Sequence, residues 1–136
     1  MSPTFAMLVL EVRDLRRSIE FYRLLGLDVP DPRPDRPVSI CRLGPGAKLV
    51  LTEQFDARYD PDWVRPERGY QQLVEFYAGD DVAVDAEWAR LTGAGYHGRM
   101  APTRTAGPYA AMVDDPDGNV ILLTSDEAAR PDGATV

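Results

Sequence analysis

The chain of 136 residues has a single cysteine, Cys41, and a single histidine, His97. One thiol cannot form an internal disulfide, and these two side chains alone cannot build a cysteine-rich zinc cluster. Cys41 lies in the apolar run from Val38 to Leu43, which is typical of a small core residue in a reducing compartment. A disulfide scaffold and a zinc-finger-type fold are therefore excluded.

Long apolar runs and basic stripes are also missing. No apolar stretch approaches the roughly 20 residues that span a membrane, and no charged-then-apolar leader opens the chain. The net charge is −7, and no cluster of basic residues could follow a nucleic-acid backbone. We therefore expect a cytoplasmic protein with neither a membrane nor a nucleic acid as its partner.

The strongest local signal is a turn near the C-terminus, Asp115-Pro116-Asp117-Gly118-Asn119. Proline presets φ for a turn, and Asp, Gly and Asn tolerate the backbone angles of a tight reversal. β-Forming residues flank the turn, so the sequence predicts a hairpin of Tyr109 to Val113 with Val120 to Thr124.

A helix is predicted from Leu15 to Leu25, because apolar residues recur there at helical spacing. Asp14 is placed as its N-cap and Gly26 as its end. Other patterns predict strands at 5–12, 38–43, 47–52, 70–78 and 99–103, a helix over 82–92, and proline-rich or polar loops between them.

The two halves of the chain resemble each other. Asp14, Phe21 and Gly26 align with Asp81, Trp88 and Gly93, and both halves end in a tight hairpin. The sequence thus predicts an α+β fold of two βαβββ modules that form a curved, mostly antiparallel sheet around a cleft. Module one covers about residues 5–53, a linking loop 54–69, module two about 70–125, and a C-terminal tail 126–136.

Three stretches carry a resemblance to the vicinal oxygen chelate superfamily of glyoxalase I, extradiol dioxygenases and bleomycin-type resistance proteins. They are Val12 to Leu27, Asp80-Asp81-Val82, and Asp115 to Asn119. The resemblance implies one domain over residues 1–136, built from paired modules and assembled as a homodimer with a cavity in each sheet.

Metal-using members of this superfamily place His or Glu on the first and last strands of each module. The resemblance assigns these positions to Met7, Val50, either Leu73 or Val74, and Leu122. None of these side chains offers a lone pair that a divalent ion binds well, and His97 lies at a loop or strand entry. We therefore expect no metal ligands and no cofactor.

Strand alternation places Met7, Val9 and Glu11 on one face of the first strand, and Leu8, Leu10 and Val12 under the helix. On the second module either Leu73, Glu75 and Tyr77 or Val74 and Phe76 face the cavity. Aromatic walls suit a flat ligand. The predicted ligand-binding residues are Trp63, Tyr109, Tyr59, Tyr77, Met7, Val9, Val50 and Leu122.

The resemblance and the apolar metal positions favour metal-independent sequestration of a small aromatic or hydrophobic molecule, similar to the drug-resistance proteins of the superfamily. The alternative is an enzyme of the same fold that uses Glu75, Glu11 or Tyr77 as acid or base without a metal. A metal-dependent lyase or dioxygenase, and a regulatory module with a closed cavity, are further alternatives. The balance favours a binding protein over an enzyme.

Overall fold

A computed structural model describes residues 5–67, 70 and 72–130. The chain divides into two compact units, Met1–Gly69 and Tyr70–Val136. The first contains β1 (Met7–Glu11), α1 (Leu15–Leu25), β2 (Val38–Gly44), β3 (Ala47–Thr52) and the short α2 (Phe55–Arg58). The second contains β4 (Leu73–Tyr77), α3 (Asp81–Gly93), β5 (Gly98–Arg104), β6 (Tyr109–Asp114), β7 (Val120–Thr124) and a 3-10 turn, Glu127–Ala129.

The first unit is a three-stranded sheet in the order β1-β3-β2, with β1 parallel and β2 antiparallel to β3. Helix α1 begins and ends as predicted: the Asp14 side chain accepts a hydrogen bond from the Arg17 N–H, and Gly26 adopts a φ of 115°. The helix packs on β2 and β3. Beneath it, Leu10 and Val12 are buried, which confirms the predicted alternation of β1.

The second unit is a four-stranded sheet in the order β4-β7-β6-β5, with α3 packed against β5, β6 and β7. Close approach of the helix explains Gly98 at the start of β5. A Cβ added there would lie 2.6 Å from the ring of Trp88 and 2.9 Å from the methyl group of Thr92. The predicted hairpin of β6 and β7 is confirmed, with Asp114 and Asp115 leading into the turn.

The α+β class is confirmed, but the described part of the first unit has three strands where the repeat predicted four. The segment that would form the missing strand holds four prolines between residues 30 and 37, and shows only an isolated bridge between Arg33 and Arg36. Proline has no N–H to donate to a ladder, so this segment cannot extend the sheet.

The alignment of Asp14 with Asp81 is wrong by one residue. Asp80 caps α3, because its side chain accepts a hydrogen bond from the Ala83 N–H at 2.9 Å. Met7 pairs with Lys48 near the start of β3, the last strand of the first unit, and Leu73 pairs with Val120 at the start of β7, the last strand of the second. Leu73 therefore corresponds to Met7. Part of the predicted tail, residues 131–136, lies outside the described residues.

Candidate functional site

Each sheet has one face that its own helix does not cover. On the first sheet this face, here called the first helix-free face, follows from the pairing of β1 and β2 with β3. Met7 and Ile40 on its two edge strands are 43% and 41% exposed, whereas Val50 between them is 2% exposed. The face is formed by Met7, Val9 and Glu11 of β1, Lys48, Val50 and Thr52 of β3, and Val38, Ile40 and Arg42 of β2.

An ion pair ties the loop after β3 to one end of the first helix-free face. Glu11 accepts hydrogen bonds from the Arg65 guanidinium at 2.9 Å and from the Phe55 N–H at 3.1 Å. The Glu11 side chain is only 12% exposed, so its carboxylate is held between β1 and the loop. This use of Glu11 is structural, since both hydrogen bonds anchor backbone or side chains of the loop.

The same loop brings three aromatic rings together. The Phe55 ring lies 5.3 Å from Trp63 and 5.4 Å from Tyr59, both in tilted arrangements. The Arg65 guanidinium lies over the Trp63 ring at 5.4 Å, which is a cation–π distance. Trp63 is half-buried and Tyr59 is 49% exposed, so this aromatic cluster is partly exposed.

The second helix-free face belongs to the four-stranded sheet. Glu75 pairs directly with Leu122, and Leu122 pairs with Met112 on the other side. Leu73 and Tyr77 stand on the same face as Glu75, whereas Val74 is 8% exposed on the face that α3 covers. The structure thereby decides between the two predicted registers of this strand. The face is formed by Leu73, Glu75, Tyr77, Val120, Leu122, Thr124, Ala110, Met112 and Asp114.

Tyr109, which the sequence analysis placed at the ligand site, lies on the opposite face of the second sheet. Its hydroxyl donates a hydrogen bond to Asp85 of α3 at 2.5 Å, and the Arg104 guanidinium covers its ring at 5.2 Å. That hydrogen bond raises the pKa of the Tyr109 hydroxyl. Because side chains alternate along β6, Tyr109 cannot reach the face that holds Met112 and Leu122.

The residues that the resemblance assigns to metal positions do not fit a metal ion. Met7 and Val50 share the first helix-free face, and Leu73 and Leu122 share the second, and none of these four apolar side chains is a good donor to a divalent ion. Within the described residues, no group of three or more His, Cys, Asp or Glu side chains could hold a metal.

Glu75 is the chemically distinctive group of the second helix-free face. In the described part of the chain its carboxylate has no hydrogen-bond or ion-pair partner, and its cross-strand neighbour is Leu122. Partial burial, reinforced by the charge of Asp126, raises the pKa of Glu75. By contrast, Tyr77 on the same strand donates its hydroxyl to Glu127 at 3.1 Å.

The raised pKa of Glu75 predicts a pH dependence of stability. Between the unfolded and folded pKa values the folded state binds more protons, so the free energy of unfolding falls as pH rises through that range. Glu75→Gln removes this loss, and we expect it to raise the melting temperature at pH 7 and to have little effect at pH 3. Differential scanning calorimetry at both pH values measures this. An equal change at both pH values would contradict the assignment.

Two parts of the first helix-free face were not anticipated from the sequence. The contact of Arg65 with Glu11 joins residues that are 54 positions apart, and no local pattern signals such a pairing. Lys48 and Arg42 also lie on this face, as direct cross-strand partners. The alternation of β3 around Val50 was a signal that could have found Lys48.

A sequence profile of the glyoxalase/bleomycin resistance protein/dioxygenase superfamily matches residues 4–123. No curated protein matches the chain significantly in sequence. Across the described residues, no helix is both long and apolar enough to cross a membrane.

Solved structures share the fold. A glyoxalase-related enzyme from Fulvimarina pelagi superposes with a TM-score of 0.79 at 19% identity, covering 98% of this chain and 96% of that one. A lactoylglutathione lyase from Agrobacterium tumefaciens gives 0.64 at 23% identity, covering 90% and 93%. TnmS3, an antibiotic-binding protein from Streptomyces sp. CB03234, gives 0.65 at 28% identity, covering 91% and 97%.

Proposed function

Because the chain belongs to the glyoxalase/bleomycin resistance protein/dioxygenase superfamily, we propose that it binds a small aromatic or hydrophobic molecule without a metal ion. The observation that carries this proposal is the apolar set Met7, Val50, Leu73 and Leu122 at the metal positions of the family. A binding protein needs shape and apolar area rather than a Lewis acid. The likeness to an antibiotic-binding protein supports the same function.

On the first unit, the proposed ligand lies along Met7, Val9 and Val50 and reaches toward Trp63 and Tyr59. Exposed Met7 and Ile40 supply apolar area that a bound molecule would remove from water. The aromatic cluster supplies rigid ring surface, which costs little conformational entropy to hold in place. On the second unit, Leu73, Leu122 and Tyr77 give the corresponding proposed surface.

We expect aromatic ligands to stabilise the protein and to quench the fluorescence of Trp63. At ~100 times the Kd a ligand contributes about 2.7 kcal/mol to the free energy of unfolding, which a thermal-shift assay detects easily. The measurement uses a panel of aromatic natural-product antibiotics in a Trp88→Phe background, so that only Trp63 emits. Trp63→Phe is expected to reduce the ligand-induced thermal shift, because it removes ring area at the site.

Trp88→Phe serves as the matched control, since Trp88 packs under Gly98 on the helix-covered side of the second sheet. It should leave the ligand-induced shift unchanged. If no compound of the panel raises the melting temperature by even a degree or two, the binding proposal fails.

The second candidate function is metal-free acid–base catalysis by Glu75, which the unpartnered carboxylate and its raised pKa favour. The two candidates differ in what becomes of the ligand. A binding protein returns the compound chemically unchanged after incubation, whereas an enzyme returns a product that mass spectrometry detects and that Glu75→Gln abolishes.

A further inference from the structure

The first helix-free face carries two positive charges, those of Lys48 and Arg42. Lys48 and Arg42 are direct cross-strand partners, and like charges in that position destabilise a sheet. Across the residues that the structure describes, neither side chain has a hydrogen-bond or ion-pair partner. The chain has a net charge of −7, so acidic partners are abundant elsewhere. Lys48 is also its only lysine, since the other positively charged side chains are arginines.

An apolar row and an aromatic cluster continue from this pair along the same face. Val9, Val50 and Ile40 lie side by side across the three strands, next to the row that holds Lys48 and Arg42. The next row contains Glu11, which pairs with Arg65, and the Arg65 guanidinium lies over the Trp63 ring. Thr52 in this last row lies four positions after Lys48, which corresponds to about 13 Å along an extended strand.

We propose that the first helix-free face binds an organic anion with an apolar, aromatic body. The anionic group pairs with Lys48 and Arg42, and the body lies over Val9, Val50 and Ile40 toward the aromatic cluster. The ammonium supplies a compact charge and the guanidinium a planar fork of donors, which together match a carboxylate. The inference rests on the proposed binding function and adds the charge of the ligand to it.

Three probes of one shape test the charge preference. We measure the binding of 2-naphthoate, 2-naphthalenemethanol and 2-naphthylmethylammonium by isothermal titration calorimetry. The naphthoate should bind tightest, and the double variant Lys48→Gln/Arg42→Gln should weaken it by about tenfold, as expected for two partly exposed charge contacts. The alcohol should bind the double variant as well as the natural protein, and added salt should weaken only the naphthoate.

The double variant Arg16→Gln/Arg17→Gln is the matched control, because it removes the same two positive charges from exposed positions on α1, on the other side of the sheet. It should leave naphthoate binding unchanged. Lys48 gives a second readout, since reductive ¹³C-methylation marks one side chain besides the terminal amine. Its NMR signal should move when naphthoate is added and should stay in place with the alcohol.

Each contrary outcome has a definite meaning. If the alcohol binds and the naphthoate binds no tighter, the charge inference is wrong while the binding function stands. The inference is equally wrong if Arg16→Gln/Arg17→Gln weakens naphthoate binding as much as Lys48→Gln/Arg42→Gln does, or if the amine binds tightest of the three probes. If none of the three probes binds, this inference is wrong, whereas the proposed function is judged separately by the thermal shifts of the antibiotic panel.

Discussion

Leu122→Glu, which would install the residue type of a metal-using relative, is expected to destabilise the protein by about 4 kcal/mol or more. Leu122 is 7% exposed in the middle of β7, so the substitution loses its apolar burial and places a carboxylate in the sheet. Glu75 stands directly opposite, and the two like charges repel. With a total stability of about 5–15 kcal/mol for a typical domain, most of the folding free energy would be lost.

Chemical denaturation at pH 7 and pH 4 measures this effect and its sign. The new carboxyl is buried beside another acid, so its pKa in the folded state should rise, and the destabilisation should shrink as pH falls. Leu122→Met, which nearly conserves volume, should cost less than about 1.5 kcal/mol. In a Glu75→Gln background the cost of Leu122→Glu should fall. A Leu122→Glu protein as stable as the Met variant would show that this position tolerates a carboxylate after all.

Asp115→Ala is expected to cost about 2–4 kcal/mol, because the Asp115 side chain organises the hairpin turn. Its carboxylate accepts hydrogen bonds from the Asp117 N–H at 2.9 Å, the Asn119 N–H at 2.8 Å and the Asn119 side-chain amide at 2.8 Å. Asp115 is only 4% exposed, so water cannot replace all three bonds after the substitution. Urea denaturation measures the loss.

Two matched variants distinguish the contribution of the Asp115 carboxylate to stability from the contribution of its burial. Asp115→Asn keeps an acceptor oxygen of the same shape and should retain part of the lost stability. Asp60→Ala removes an exposed aspartate whose side chain accepts from the Asp62 N–H at 3.0 Å, the same kind of local turn contact without burial. It should change stability by less than about 0.5 kcal/mol. Equal losses for Asp60→Ala and Asp115→Ala would mean that burial does not set the cost.

These two predictions concern the turn and the second strand of the same hairpin. Asp115 organises the turn, and Leu122 lies on the following strand at the position that the resemblance to metal-using proteins implies for a ligand. The turn is therefore held by hydrogen bonds to Asp115, and the strand that follows it carries a core residue at Leu122.

The sequence alone determined the elements whose signals are local. Helix α1 has the predicted bounds because its cap, its apolar spacing and its terminal glycine all lie within about a dozen residues. Strands β3 and β7 also have their predicted bounds, and the turn before β7 follows from residues that set their own backbone angles. The apolar side chain of Leu122, at a position that the resemblance implies for a metal ligand, was also found from the sequence alone, because it is located by counting residues from the turn.

Only the tertiary structure decided which side chains share a face. It placed Leu73 rather than Val74 on the same face as Leu122, directed Tyr109 toward α3, and brought Arg65 to Glu11 and Arg42 beside Lys48. Each of these facts depends on the pairing of segments that are distant along the chain. A shift of one residue in such a pairing turns every side chain of a strand to the other face, and no local pattern fixes that shift.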